Sequence, residues 1–183
     1  MSLMESTMVP LGTGCPDFTL PGADGQLWSR DDFHCPALLV VVMCNHCPYV
    51  QSIDDRLNAL AKAYAGRCAV VGINSNDAVA FPEDSFKAMR ARAKAKGYVF
   101  PYLWDEEQTV ARDLGAVCTP DFFLYGSHRH LNYRGRMDDN WKDATRVTHQ
   151  DLKEAIERVL NGKEPLETQY PSMGCSIKWK HAH

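Results

Sequence analysis

At 183 residues, 45 % of them hydrophobic and 23 % charged, the chain sits near the averages for a soluble globular domain, and a chain of this size buries roughly 70 % of its unfolded surface. Disorder and a disulfide-dependent miniature fold are both excluded. Twenty basic against twenty-three acidic side chains leave a net charge of -3, which gives no electrostatic case for nucleic acid or an acidic membrane, so the expected partners are proteins or small molecules. The first stretch, MSLMESTMVPLGTGCPDF, lacks the cationic start and apolar run of a secretory signal, and no later segment is long enough to span a membrane. Seven cysteines at uneven spacing fit a reducing compartment better than a secreted disulfide framework. A cytoplasmic protein with mostly reduced thiols is expected.

In chain order, CPDFTLPGADGQLWSRDDF mixes short alternating apolar residues with a Gly-Ala-Asp-Gly turn and predicts a small β-hairpin ahead of the main fold. Ala37 to Met43, ALLVVVM, is an unbroken and mostly β-branched apolar run, the pattern of a strand buried on both faces. After Pro48, apolar residues recur at helical spacing from Val50 through Ile53, Leu57 and Leu60 to Tyr64, with Gly66 just past the end. CAVVGI predicts a second buried strand, followed by a helix with Phe86, Met89 and Ala93 on one face that closes at Gly97. YVFPYLWD reads as an edge strand because Pro101 interrupts it. A short helix is expected from a cap at Asp105 to Gly115, then two strands, DFFLYGS and HLNYRGRM, joined by a turn at Gly126 and Ser127. Thr148 and Asp151 form a capping-box pattern before a last helix carrying Leu152, Ile156, Val159 and Leu160. Strands alternating with helices and closing in a hairpin predict a three-layer α/β sandwich with a mixed central sheet. One domain spans 1–183, with 163–183 as an irregular C-terminal tail.

The chemistry concentrates in VVMCNHCPYV, where Cys44 and Cys47 stand two residues apart at the junction of strand and helix. A structural zinc site needs four ligands, and no second Cys-x-x-Cys or paired histidines complete one. Haem attachment needs histidine directly after the second cysteine, where Pro48 stands. Two inert core thiols fit poorly at a strand end that leads into a helix. Redox exchange accounts for every residue of the motif. A helix start favours an anion, so Cys44 is the expected nucleophile; Cys47, one turn away, resolves what Cys44 attacks; and His46 between them lowers the Cys44 pKa further. No cofactor and no metal are expected.

A second segment, GAVCTPDFF, opens a strand with Thr119-Pro120. This arrangement resembles the thioredoxin fold, whose cis-proline loop lies against the cysteine pair and offers its backbone to an extended substrate. With CPDFTLPGADG, CNHCPYV, GINSND, FPYLWDEEQTVARDLGAVCTPDFFLY, YRGRMDDNW and the terminal GCSIKW, the chain resembles the thioredoxin-like superfamily over nearly its whole length. More narrowly it is similar to the bacterial redoxin subgroup related to alkyl hydroperoxide reductase and thiol-specific antioxidant proteins. The resemblance implies a thioredoxin-like fold with an N-terminal hairpin, Cys44 as nucleophile, Cys47 as resolving thiol, Thr119 before a cis Pro120, disulfide or thiol substrates of protein or low molecular weight, and an upstream dithiol reductant. Two departures matter. The tryptophan and buried aspartate that precede the first cysteine of thioredoxin are here Met43 and Leu38, and the proline and threonine of the peroxiredoxin motif fall on Val40 and Cys44.

Three functions follow: dithiol–disulfide exchange, thiol peroxidase chemistry at Cys44, and non-catalytic binding of a peptide or a soft metal. Elsewhere, Cys15, Cys35 and Cys68 read as packing, Asp138 and Asp139 with Asn140 as a solvated acidic loop, and Lys87 to Lys96 as an exposed basic helix face. In the tail, Ile177 and Trp179 alternate with polar residues, so it can lie apolar face down on the domain and hold Cys175 in place. Cys175 is the candidate third redox thiol, with a Cys44–Cys175 crosslink expected, and Cys118 is the other candidate; simple packing beneath the tail is the alternative.

Overall fold

Residues 3–180 are described by a computed structural model. Its strands are β1 (Leu3–Glu5), β2 (Thr19–Pro21), β3 (Leu27–Ser29), β4 (Ala37–Val42), β5 (Cys68–Asn74), β6 (Tyr102–Trp104), β7 (Cys118–Thr119), β8 (Asp121–Tyr125), β9 (Leu131–Gly135) and β10 (Met173–Ser176). The helices are α1 (Pro48–Ala63), α2 (Phe86–Lys96), α3 (Thr109–Leu114) and α4 (Asp151–Leu160).

The apolar run of β4 becomes the middle of a five-stranded sheet ordered β6-β5-β4-β8-β9, and every one of its residues is buried. Each fully buried Leu or Val there contributes about 1.5–3 kcal/mol. β4, β5 and β6 run parallel through helical crossovers, while β8 lies antiparallel to β4 and β9 antiparallel to β8. Alternation along β4 divides the core. Leu39, Val41 and Met43 meet α1 and α4 through Ile53, Leu57, Leu152 and Ile156 on one face. Leu38, Val40 and Val42 meet α3 through Val110, Ala111 and Leu114 on the other, with Leu20 and Trp28 of the N-terminal hairpin against them. The expected three layers, mixed sheet and hairpin are all present, and β6, with Pro101 before it, is an edge strand.

Four local expectations are corrected. α3 begins at Thr109 with Gln108 as its N-cap, not at Asp105. Asp105 still serves the helix from a distance, accepting from Ala111 N–H at 3.0 Å and Ser75 Oγ at 2.7 Å. The Thr148/Asp151 capping box does not form, because Thr148 gives its N–H (2.9 Å) and its hydroxyl to Asp139, leaving Gln150 at the N-cap of α4. The basic helix is not wholly a solvated face, since Arg92 turns in to the buried carboxylate of Asp54. Finally, within the tail Met173–Ser176 form β10, which runs antiparallel between β1 and β7 in a second sheet, while 163–172 and 177–180 are irregular as expected. Ile177 beyond it is buried, as its alternation predicts.

Candidate active site: a buried cysteine cluster beside a cis-proline

β4 delivers the chain to the loop 43–47, and α1 starts at Pro48. Proline is suited to the first helical position because its missing N–H would have no partner there. The N-cap is therefore Cys47, not Cys44, and the helix start on which the assignment of Cys44 rests belongs to the second cysteine. Both thiols are buried, at 1 % and 0 % exposure.

Across from them lies the β7–β8 junction, where the Thr119–Pro120 peptide is cis. Cys44 Sγ is 3.3 Å from Thr119 Oγ1, and Cys47 Sγ is 3.2 Å from the Thr119 carbonyl oxygen. Cys175, from β10, places its sulfur 2.9 Å from Cys47 Sγ. The tail thus brings Cys175 to the pair as expected, but against Cys47 rather than Cys44. Cys118 does not join the cluster; its sulfur turns to the Pro120 carbonyl at 3.9 Å, and burial pushes its pKa far up.

Electrostatics separates the thiols. Cys47 is held below the ordinary thiol range, chiefly because the Cys44 thiol donates to it, helped by Cys175 and the Val50 amide in the first helical turn. Cys44 is correspondingly pushed well up, first by that same bond, then by burial and by the negative charge of Asp84. Cys175 is raised to about 12 by burial and by donating to Cys47. One thiol has one proton, so the Cys47 sulfur cannot donate to both Cys175 and Thr119. With the anion on Cys47, Cys44 and Cys175 donate to it and the Thr119 carbonyl is merely adjacent.

The residue that sequence reasoning misses is Asp84, on the short helical turn before α2. Fully buried, it accepts from Asn45 N–H at 2.7 Å, His46 Nδ1 at 2.5 Å and Asn76 Nδ2 at 2.7 Å. His46 is consequently not a solvated turn residue, and its ring stacks on Phe81 at 5.5 Å. Asp84 reaches the cysteine loop from another element, the short turn before α2. No local pattern in the sequence marks it. Cys44, His46 and Asp84 bring their ligand-type atoms within 4.8 Å of one another. They are the residues that could hold a soft metal, but the Asp84 oxygens are already engaged by three donors. Beside Pro120 a cavity of about 260 Å³ is lined by Ile53, Phe122, Arg136, Trp141 and Met173.

Replacing Asp84 by Asn removes the negative charge that raises Cys44, so the Cys44 titration step should move to lower pH. Ultraviolet titration of the thiolate checks this, and an unmoved or upward-shifted step would refute the role given to Asp84.

The arrangement of sheet, helices and cis-proline defines a thioredoxin-like fold. Residues 11–134 match the AhpC/TSA family, and the chain belongs to that family. A hypothetical protein from Sinorhizobium meliloti 1021 is 48 % identical with TM-score 0.93, the alignment covering 97 % of this chain and 99 % of that one. An uncharacterized conserved protein from Geobacillus kaustophilus is 40 % identical with TM-score 0.95, covering 100 % and 99 %. The thioredoxin domain of a thiol-disulfide oxidoreductase from Bacteroides vulgatus, 14 % identical over 69 % of this chain and 89 % of that one, shares the fold with TM-score 0.59. Comparison with curated proteins gives no match. Among the described residues no helix is long and apolar enough to cross a membrane.

Proposed function

We propose that the protein is a thiol–disulfide oxidoreductase whose Cys44 and Cys47 cycle between dithiol and disulfide. The observation that carries this reading is the placing of Cys47 as the N-cap residue of α1, with the Thr119-Pro120 loop against both sulfurs, 3.3 Å from Cys44 Sγ at Thr119 Oγ1 and 3.2 Å from Cys47 Sγ at the Thr119 carbonyl. The order of attack is the reverse of that expected from the sequence. Cys47, the better anion, attacks a disulfide and forms a mixed disulfide. Cys44 then loses its proton and attacks the Cys47 sulfur, releasing the second substrate thiol. His46, oriented by Asp84, is the group beside Cys44 that receives this proton. Substrates are protein or low-molecular-weight disulfides, and a dithiol reductant resets the pair.

A second reading, peroxide reduction to a cysteine sulfenic acid, is favoured by the AhpC/TSA match. Against it, Cys44 stands where the peroxide-positioning threonine is expected, and no hydrogen bond from a described arginine reaches Cys44 or Cys47. Insulin disulfide reduction and peroxide consumption, measured on one preparation, separate the two. Disulfide reduction is expected to dominate and to fall to background in Cys47→Ser. With both other cluster thiols removed, Cys44→Ser/Cys175→Ser should keep mixed disulfides on Cys47, and Cys47→Ser should form none. Adducts on Cys44 alone would reverse the order of attack, whereas peroxide turnover without disulfide reduction would replace the reading.

A further inference from the structure

A peptide that adds itself to the edge of β7 would lie where β10 lies. An extended chain recognised in this way gains main-chain hydrogen bonds from the edge and presents alternate side chains to it. β10 does both from within the same molecule. It pairs antiparallel with β7, Cys175 opposite Thr119 and Ser176 opposite Cys118. It is fastened on either side: Ser172 Oγ donates to the Pro120 carbonyl at 2.6 Å, Ile177 N–H to Val117 O at 3.0 Å, and Lys178 N–H to Asn76 Oδ1 at 2.9 Å. At Gly174 the approach is so close that a Cβ would sit 1.9 Å from the Thr119 carbonyl oxygen. The side chain delivered by this register is Cys175, whose sulfur is buried 2.9 Å from that of Cys47.

We propose that β10 is a tethered substrate strand and that Cys175 is a third exchange thiol, closing a disulfide with Cys47. This rests on the reading of Cys47 as the attacking thiol. The sulfurs already touch, and only about 0.9 Å of approach separates them from the ~2.05 Å of a disulfide bond. With oxidised glutathione as oxidant, Cys47 thiolate attacks one sulfur, forming Cys47–glutathione and expelling one glutathione thiolate. Cys175, after passing its proton to solvent, attacks the Cys47 sulfur, forming Cys47–Cys175 and expelling the second glutathione thiolate. Two protein thiols are oxidised and one glutathione disulfide is reduced to two thiols. Cys44 can then attack the Cys47 sulfur and free Cys175, so the tail thiol stores the disulfide while the Cys44–Cys47 bond is open.

The test uses the full chain with oxidised glutathione as probe, acid quenching, alkylation and peptide mapping. In Cys44→Ser the expected product is an intramolecular Cys47–Cys175 disulfide with both glutathione thiols released. In Cys44→Ser/Cys175→Ser the expected product is a persistent glutathione adduct on Cys47. A Cys44→Ser protein that keeps glutathione on Cys47 while Cys175 is alkylated overturns the tail proposal; wild-type protein that still forms Cys44–Cys47 and reduces insulin then leaves the oxidoreductase reading standing. If Cys47 carries no adduct even in the double variant, the reading and the proposal fall together. Should Cys44→Ser misfold, wild-type protein given less than one equivalent of oxidant is mapped instead, and absence of any Cys47–Cys175 bond counts against the proposal.

Discussion

Gly174→Ala should loosen the C-terminal strand and open the cysteine cluster to reagents. The position has ordinary backbone geometry, so the effect comes from space alone. A Cβ there would lie 1.9 Å from the Thr119 carbonyl oxygen and 3.1 Å from Pro120 N, both backbone atoms that cannot swing aside as a side-chain tip would. Forcing a methyl group into packed structure costs about 1–3 kcal/mol, which raises the population of the undocked strand roughly 5- to 150-fold at 1.4 kcal/mol per decade. Cys175 belongs to β10 and Cys47 lies against it, both almost wholly buried, so their alkylation under native conditions passes through that opening. Their labelling rates should rise by the same factor, while Cys68, in β5 and remote from the tail, should react unchanged. Uniform acceleration of all thiols would signify global unfolding, and unaltered rates at Cys47 and Cys175 would show that β10 is not the cover.

What the sequence discloses and what it hides follow from the range of the interactions. β4, the cysteine pair and α1 are legible because burial on both faces and helical spacing are written in consecutive residues. Thr119-Pro120 is legible for the same reason. The helix start is a finer matter: Pro48 carries the signal, since proline at the first helical position makes the residue before it the cap. That shift of three residues transfers the helix-end field from Cys44 to Cys47. β10 is hidden because Met-Gly-Cys-Ser has no alternation of its own; it is a strand because β1 and β7 lie on either side of it. Gly174 then reads as chain flexibility in the sequence and as close approach in the fold. Asp84 is hidden more deeply, for a carboxylate before a helix is ordinarily a solvated cap, and here its partners come from the loops after β4 and β5.

The largest expected loss of stability lies at Arg134. DFFLY and LNYRG are core strands, yet each carries a charge, Asp121 and Arg134, and both side chains are at 0 % exposure. Arg134 Nη2 donates to Asp121 Oδ2 at 2.7 Å and to the Gly115 carbonyl at 3.0 Å, and the guanidinium lies 4.6 Å over the Phe123 ring. The pair thereby ties the residue after Pro120 to β9 and to the end of α3. Arg134→Met leaves a buried carboxylate without its counter-charge, which costs about 3–5 kcal/mol at neutral pH. The pH dependence has a definite sign. Burial pushes Asp121 up to about 6 against an ordinary value of 3.8, even with Arg134 opposing it. The folded state therefore binds the proton more tightly than the unfolded one, and this carboxyl group adds stability as pH falls through the window between those values. Without Arg134 the folded pKa rises further, so the variant should recover part of its loss on acidification from pH 7 to about 5. Replacing both residues, Asp121→Leu with Arg134→Met, should restore most of the stability, because Arg134 Nε and Nη1 and Asp121 Oδ1 have no hydrogen-bond partner in the pair. Denaturant unfolding of the three proteins at both pH values measures this. A loss below about 1 kcal/mol in Arg134→Met, or an equal loss at the two pH values, would show that Asp121 is not held as an ionised group by Arg134.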